Sequence, residues 1–86
     1  MKLIIYLYKN NIRLELEKNG VVIDCKDLPY YHDLPDVLIT SLDKLLKENS
    51  IDMKAITLCK IRERGDAGIT ARRLVQIFAD ALKIGQ

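Results

Sequence analysis

Leu3-Ile4-Ile5-Tyr6-Leu7-Tyr8-Lys9-Asn10-Asn11-Ile12-Arg13-Leu14-Glu15-Leu16-Glu17-Lys18-Asn19-Gly20-Val21-Val22-Ile23-Asp24-Cys25-Lys26 is the stretch on which the fold turns. Its first six residues are a continuous apolar run of β formers. Such a run predicts a central strand covered on both faces. Lys9-Asn10-Asn11 reads as a turn, because Asn tolerates positive φ. Ile12 to Glu17 alternates strictly, with Ile12, Leu14 and Leu16 on one face and Arg13, Glu15 and Glu17 on the other. That alternation predicts a strand with one wet face. Asn19-Gly20 is the signal of a two-residue hairpin. Val21 to Lys26 completes an antiparallel meander of three strands.

Downstream, the period changes. Leu28 to His32 reads as a connector holding Pro29. Asp33 is placed to N-cap a helix, with Pro35 and Asp36 in its first turn. Val37, Leu38, Ile39, Leu42, Leu45 and Leu46 supply the apolar positions, and Asn49-Ser50 ends it. Ala55 to Cys59 reads as a fourth strand. With a helix between it and the meander, it most easily joins parallel to the first strand by a right-handed crossover. Lys60 to Gly68 reads as a charged loop. Thr70 then caps a last helix from Ala71 to about Ile84, closed by Gly85. The order strand, strand, strand, helix, strand, helix predicts an α/β fold: one ribonuclease-H-like lobe, a mixed four-stranded sheet with helices on one face.

The chain has 86 residues, 49% hydrophobic and 30% charged, which is a globular composition for one domain. A domain of this size buries roughly 60–65% of the surface its unfolded chain exposes. One core is feasible, but a deep cleft with two walls is not. The formal net charge of +2 does not by itself imply nucleic acid. No apolar run is long enough to span a bilayer, and no secretory leader frames the first strand, so a cytoplasmic location is expected. Cys25 and Cys59 are isolated, and with His32 they fall short of the four ligands of a structural zinc site. They are expected as buried reduced thiols, and His32 as a surface or capping residue.

Both helices carry more apolar surface than one sheet contact requires. On the last helix, Ala71, Leu74, Val75, Phe78 and Leu82 form one stripe, with Ile77, Ala81 and Ile84 beside it. A helix apolar over so wide an arc is buried on more than one side. Packing between the helices and a subunit interface are the two readings. Arg72 and Arg73 fall in a first helical turn, where the dipole disfavours cations. This suggests either an acidic partner or local neutralisation by Glu63 and Asp66. Arg62, Arg64, Arg72 and Arg73 form a candidate phosphate-contacting patch, though no aromatic is interleaved with them for single-strand stacking.

The last third of the chain resembles a family motif. Gly65-Asp66-Ala67-Gly68-Ile69-Thr70-Ala71-Arg72-Arg73-Leu74 runs without gaps along the G-P-G-S-F-T-G-x-R-I motif of the TsaB family, with Gly65, Thr70 and Arg73 identical. Ala79 to Gly85 resembles the family's A-x-G-L-A-L-G helix end. His32 and the helix from Leu38 to Leu46 resemble its His followed by L-L-P-x-I-x-x-L-L. The resemblance covers nearly the whole chain, residues 1–86, as the amino-terminal lobe of that family. TsaB proteins are non-catalytic partners in threonylcarbamoyladenosine modification of tRNA, with an actin-like, sugar-kinase-like fold.

Departures from the relatives bear on the chemistry. Actin-type and sugar-kinase-type relatives carry an Asp at the end of the first strand and a phosphate-binding loop. Here Leu7-Tyr8-Lys9-Asn10-Asn11 stands there, with no acid, glycine, serine or threonine to cradle a phosphate. No carboxylate lies on the first strand for a ribonuclease-H type metal centre. The resemblance therefore implies a non-enzymatic interaction module with no catalytic residue, cofactor or metal. It implies a dimer surface built from the two helices: Leu38, Leu42 and Leu45 with Leu74, Ile77, Phe78 and Ala81. The partner would be a second copy or a related actin-fold protein. An RNA-binding module using the arginine loop and a vestigial nucleotide-binding lobe are the alternatives.

Overall fold

The computed structural model describes all residues except His32, Asp66, Ala67, Gly85 and Gln86, and gives Leu82, Lys83 and Ile84 as helical backbone only. The expectations for His32, Asp66 and Gly85, and for the side chains of Leu82 and Ile84, lie outside the described residues.

Strands β1 (Lys2–Leu7), β2 (Asn11–Lys18) and β3 (Val21–Pro29) form the antiparallel meander. Asn19 and Gly20 both take positive φ, 55° and 81°, as a type I′ turn demands. Helix α1 (Leu34–Glu48) follows, then a 3-10 turn (Met53–Ala55), strand β4 (Leu58–Glu63) and helix α2 (Ile69–Ile84). The sheet order is β3-β2-β1-β4, with β4 parallel to β1. The structure is thus a mixed four-stranded sheet in an α/β lobe, as the element order implies.

The core lies on one face of this sheet. Leu3, Ile5 and Leu7 from β1 and Ile12, Leu14 and Leu16 from β2 are all fully buried. Leu34, Leu38, Leu42, Leu45 and Leu46 of α1 and Val75 and Ala79 of α2 close over them, with Ile56 and Cys59. Helix α1 lies against β3 and α2 against β4. Among the described residues, no element covers the other face, so β1 is not sheathed on both sides. Its Ile4 is buried instead between the cross-strand neighbours Glu15 and Lys60.

Boundaries shift where local hydrogen bonding wins over propensity. Ala55 is not in the fourth strand. Asp52 Oδ1 accepts from Lys54 N at 3.1 Å, and Ala55 N donates to the Asp52 carbonyl at 2.9 Å, which nucleates the 3-10 turn. Strand β4 then runs on through Lys60, Ile61, Arg62 and Glu63. These residues read as loop because of their charge, but they alternate: Cys59, Ile61 and Glu63 lie on the helix side of the sheet, in register with Leu3, Ile5 and Leu7, and Lys60 and Arg62 on the other. Strand β3 likewise runs on to Pro29, at the end of an edge strand where a missing N–H is tolerated. A bulge leaves Ile23 without a register partner.

The caps differ too. Asp33 holds the N-cap position of α1, but its carboxylate accepts from Tyr31 N at 3.0 Å rather than from the helix. At the other end, Ser50 N donates to Lys47 O and Ile51 N to Leu46 O, with Ser50 at φ 54°. This pair of bonds is a Schellman motif with a serine in the left-handed position. Thr70 does not cap α2. The helix starts one residue before it, and the Gly68 carbonyl accepts the bond from Arg72 N at 3.2 Å.

Candidate functional site

The helix layer sorts the residues of the expected dimer surface into two groups. Leu38, Leu42 and Leu45 are at most 1% exposed in the core of the single chain. They point into the sheet, so no partner can cover them, and the expectation is corrected for these three. Leu74 and Phe78 are half-buried against that core. Ile77 and Ala81 are exposed, Ile77 by 65%. On a helix of 3.6 residues per turn, Phe78, Leu74, Ala81 and Ile77 form one arc running outward from the buried Val75–Ala79 stripe.

Helix α1 meets this arc. Ile39, Thr40, Leu42, Asp43, Met53 and Phe78 line a groove of about 340 Å3 between α1, the 3-10 turn and α2. Ile39 is 59% exposed and Met53 40%. Ile39 escaped the sequence reading because it flanks the core stripe and looked like part of it. Met53 carries no periodic signal in the sequence, because it lies in the short connection between α1 and β4. The outward side of the helix layer thus carries Ile39 and Met53 on a groove that Phe78 also lines, and Ile77 and Ala81 exposed farther out on α2.

The motif residues are dispersed. Gly65 takes φ 93° and Gly68 φ 88° on either side of the undescribed pair, which explains glycine at both positions. Thr70 and Arg73 are exposed on the first turn of α2. Arg72 Nε lies 3.6 Å from Glu63 Oε2, so Glu63 neutralises it as the sequence suggested. The four arginines do not form one patch. Arg62 projects from the uncovered face of the sheet, beside Tyr6 in register, and Arg64 Cζ stands 5.9 Å from the centre of the Tyr6 ring. Arg72 pairs with Glu63 on the helix side.

The turn after β1 is closed by its own bonds. Tyr8 N donates to Asn11 O at 2.9 Å, Tyr30 N to Asn10 O at 3.0 Å, and Tyr30 Oη to Tyr8 O at 2.7 Å. Burial raises the Tyr30 hydroxyl pKa above its ordinary value. On the uncovered face, Arg13 gathers a network of Glu15, Asp27 and Cys25, its Nη2 donating to Cys25 Sγ at 3.3 Å. The Glu15 hydrogen bond, with the Asp27 charge next, raises the Arg13 pKa further. Cys25 is therefore a half-buried sheet-face thiol rather than a core one, while Cys59 is buried as expected. Asn49 Nδ2 and Cys25 N both donate to the Asp24 carboxylate, in that order of effect, and hold its pKa below the usual value. Among the described residues, no group of three or more His, Cys, Asp or Glu side chains is placed to hold a metal, and no helix is long and apolar enough to cross a membrane.

This architecture is that of one ribonuclease-H-like lobe. Within that class the fold is TsaB-like. YeaZ from Pseudomonas aeruginosa, a TsaB-type protein, superimposes at a TM-score of 0.76 with 16% identity, over 99% of this chain and 40% of that one. A structure described as an uncharacterized protein with similarity to peptidase YeaZ from Pseudomonas aeruginosa matches at 0.72 with 18% identity, over 99% of this chain and 39% of that one. At such identities the likeness is one of fold. The chain spans about two fifths of the length of these structures. No family model and no curated protein matches the sequence.

Proposed function

We propose that the chain is a non-enzymatic interaction module, a single TsaB-like lobe over residues 1–86 that pairs with a second copy of itself through the outward side of its helix layer. The observation that carries this reading is the exposed apolar set of the helix layer, Ile39 and Met53 on the Phe78 groove with Ile77 and Ala81 on the outward arc of α2. Large apolar side chains grouped on one side of a small domain mark an interaction site more often than chance. The groove gives a matching helix somewhere to seat. A related actin-fold protein presenting the same helix pair would fit the same surface. The family likeness suggests a cytoplasmic setting and a place in threonylcarbamoyladenosine modification of tRNA.

Two further features support a role other than phosphate chemistry. β1 carries no carboxylate, and the turn after it is closed by internal hydrogen bonds. Sedimentation of the purified chain across a micromolar concentration series tests the reading. Concentration-dependent dimer formation is expected, and a strict monomer throughout would refute it.

A further inference from the structure

The uncovered face of the sheet is electrically divided. On β4, the outward residues Lys60 and Arg62 are followed by Arg64, and none of the three has an acidic partner within ion-pair distance among the described residues. On β2 and β3, the outward residues Glu15, Glu17 and Asp27 outnumber Arg13, which is already engaged by two of them. Tyr6 lies on β1 between these halves. Its register partner on β4 is Arg62, and the Arg64 guanidinium lies over its ring.

From this geometry we infer that the β1–β4 half of the open sheet face binds single-stranded nucleic acid, with its phosphates along β4 and one base on Tyr6. Alternate residues of a strand stand about 6.6 Å apart on the same face. Lys60, Arg62 and Arg64 therefore make a row of cations that an extended sugar-phosphate strand can follow. Arginine presents a planar fork suited to phosphate, and its plane also stacks on a base. A base entering over Tyr6 displaces or sandwiches the Arg64 guanidinium already there, so the aromatic and cationic contributions act at one point. The acidic half repels phosphate and confines the strand to the β4 side. An open four-stranded sheet backed by two helices is an architecture that displays unstacked bases to aromatic side chains. An acidic polypeptide could satisfy the cations but would leave the Tyr6 ring without a use. This surface faces away from the helix layer, so its test is independent of the dimer reading.

The probe is a short labelled single-stranded RNA, read by fluorescence anisotropy on the full chain as salt is varied. With three phosphates neutralised, log K should fall against log salt with a slope of about −2. Arg62→Ala should weaken binding and flatten that slope by about 1. Tyr6→Leu should weaken it by roughly 5- to 150-fold, while Tyr6→Phe, which keeps the ring, should bind as the parent does. Lys44→Ala, on α1, should leave the slope unchanged. Should Tyr6→Leu fail to fold by circular dichroism, Tyr6→Phe and Arg62→Ala still decide the matter. No binding at low salt, binding indifferent to Arg62→Ala, or polyglutamate binding equally well with Tyr6→Leu and the parent would each overturn the proposal.

Discussion

Replacing Ile39 and Ile77 together by Asp separates a docking surface from a core. Ile77 is 65% exposed and Ile39 59% in the single chain. Fully burying an isoleucine side chain is worth about 1.5–3 kcal/mol. The part still exposed is therefore worth roughly 1–2 kcal/mol for each residue when a partner covers it. In a two-fold dimer each residue counts twice, so the pair contributes about 4–7 kcal/mol to association. Every 1.4 kcal/mol is tenfold in affinity, so the double variant should weaken dimerisation by at least about 10^3-fold. The cost of burying the new carboxylates adds to this figure. Because neither residue is in the core, the variant should keep its helical circular dichroism and its cooperative melt. Sedimentation velocity at matched concentrations reads the association. The reasoning fails if the double variant remains dimeric at the parent's midpoint concentration. It fails equally if the variant unfolds, since that would place the two isoleucines in the core.

Leu42→Ala gives the opposite result. Its side chain is 1% exposed, so denaturant titration should show a loss of about 2–5 kcal/mol in folding stability. Tyr30→Phe removes the hydroxyl that donates to the Tyr8 carbonyl and should cost about 1–3 kcal/mol in the same assay, through the acceptor left unpaired. The Asp24 carboxylate, held below its ordinary pKa first by Asn49 and then by the Cys25 N–H, contributes stability above its unfolded pKa of about 3.9 and loses it as pH falls through the folded value. In Asn49→Ala the urea midpoint should therefore fall less steeply between about pH 5 and pH 2 than in the parent. An unchanged acid limb would remove Asp24 from the account.

The meander was legible because its signals are local. The alternation of Ile12 to Glu17 fixes which side chains face inward, and Asn19-Gly20 accepts the two positive φ angles that the turn imposes. Helix α1 was legible from its period. The distinction between its core and its surface was not. Leu38, Leu42 and Leu45 differ from Ile39 by one position or a turn, and only the placement of β2 and β3 beneath the helix decides which of them is sealed. The start of β4 was misplaced because Asp52 diverts Met53–Ala55 into a 3-10 turn, and the alternation of Lys60 to Glu63 was masked by its charges. The pairing of Tyr6 with Arg62 and Arg64 was the least legible feature. These residues lie more than fifty positions apart, and their contact depends on the parallel register of β1 with β4.

That register bears on the choice between binding and chemistry. In a phosphate-handling lobe, the end of β1 must offer unspent N–H groups to an anion and a carboxylate to its metal. Here Leu7 is followed by a turn closed by its own hydrogen bonds. The Tyr8 N–H closes on Asn11, and the carbonyls of Asn10 and Tyr8 accept from the backbone and the hydroxyl of Tyr30. A phosphate arriving at this end would have to compete with bonds in which a buried tyrosine is anchored, at about 1–3 kcal/mol for each group left unpaired. Arg64, one residue past β4, uses its N–H on the Leu7 carbonyl and turns its guanidinium over Tyr6. The cation nearest the end of β1 is thereby directed away from that end and onto the open face. The two proposed surfaces lie away from that end, one on the outward side of the helices and one on the bare side of the sheet. Because the two are separated by the core, variants on one leave the other intact, which is what allows each reading to fail alone.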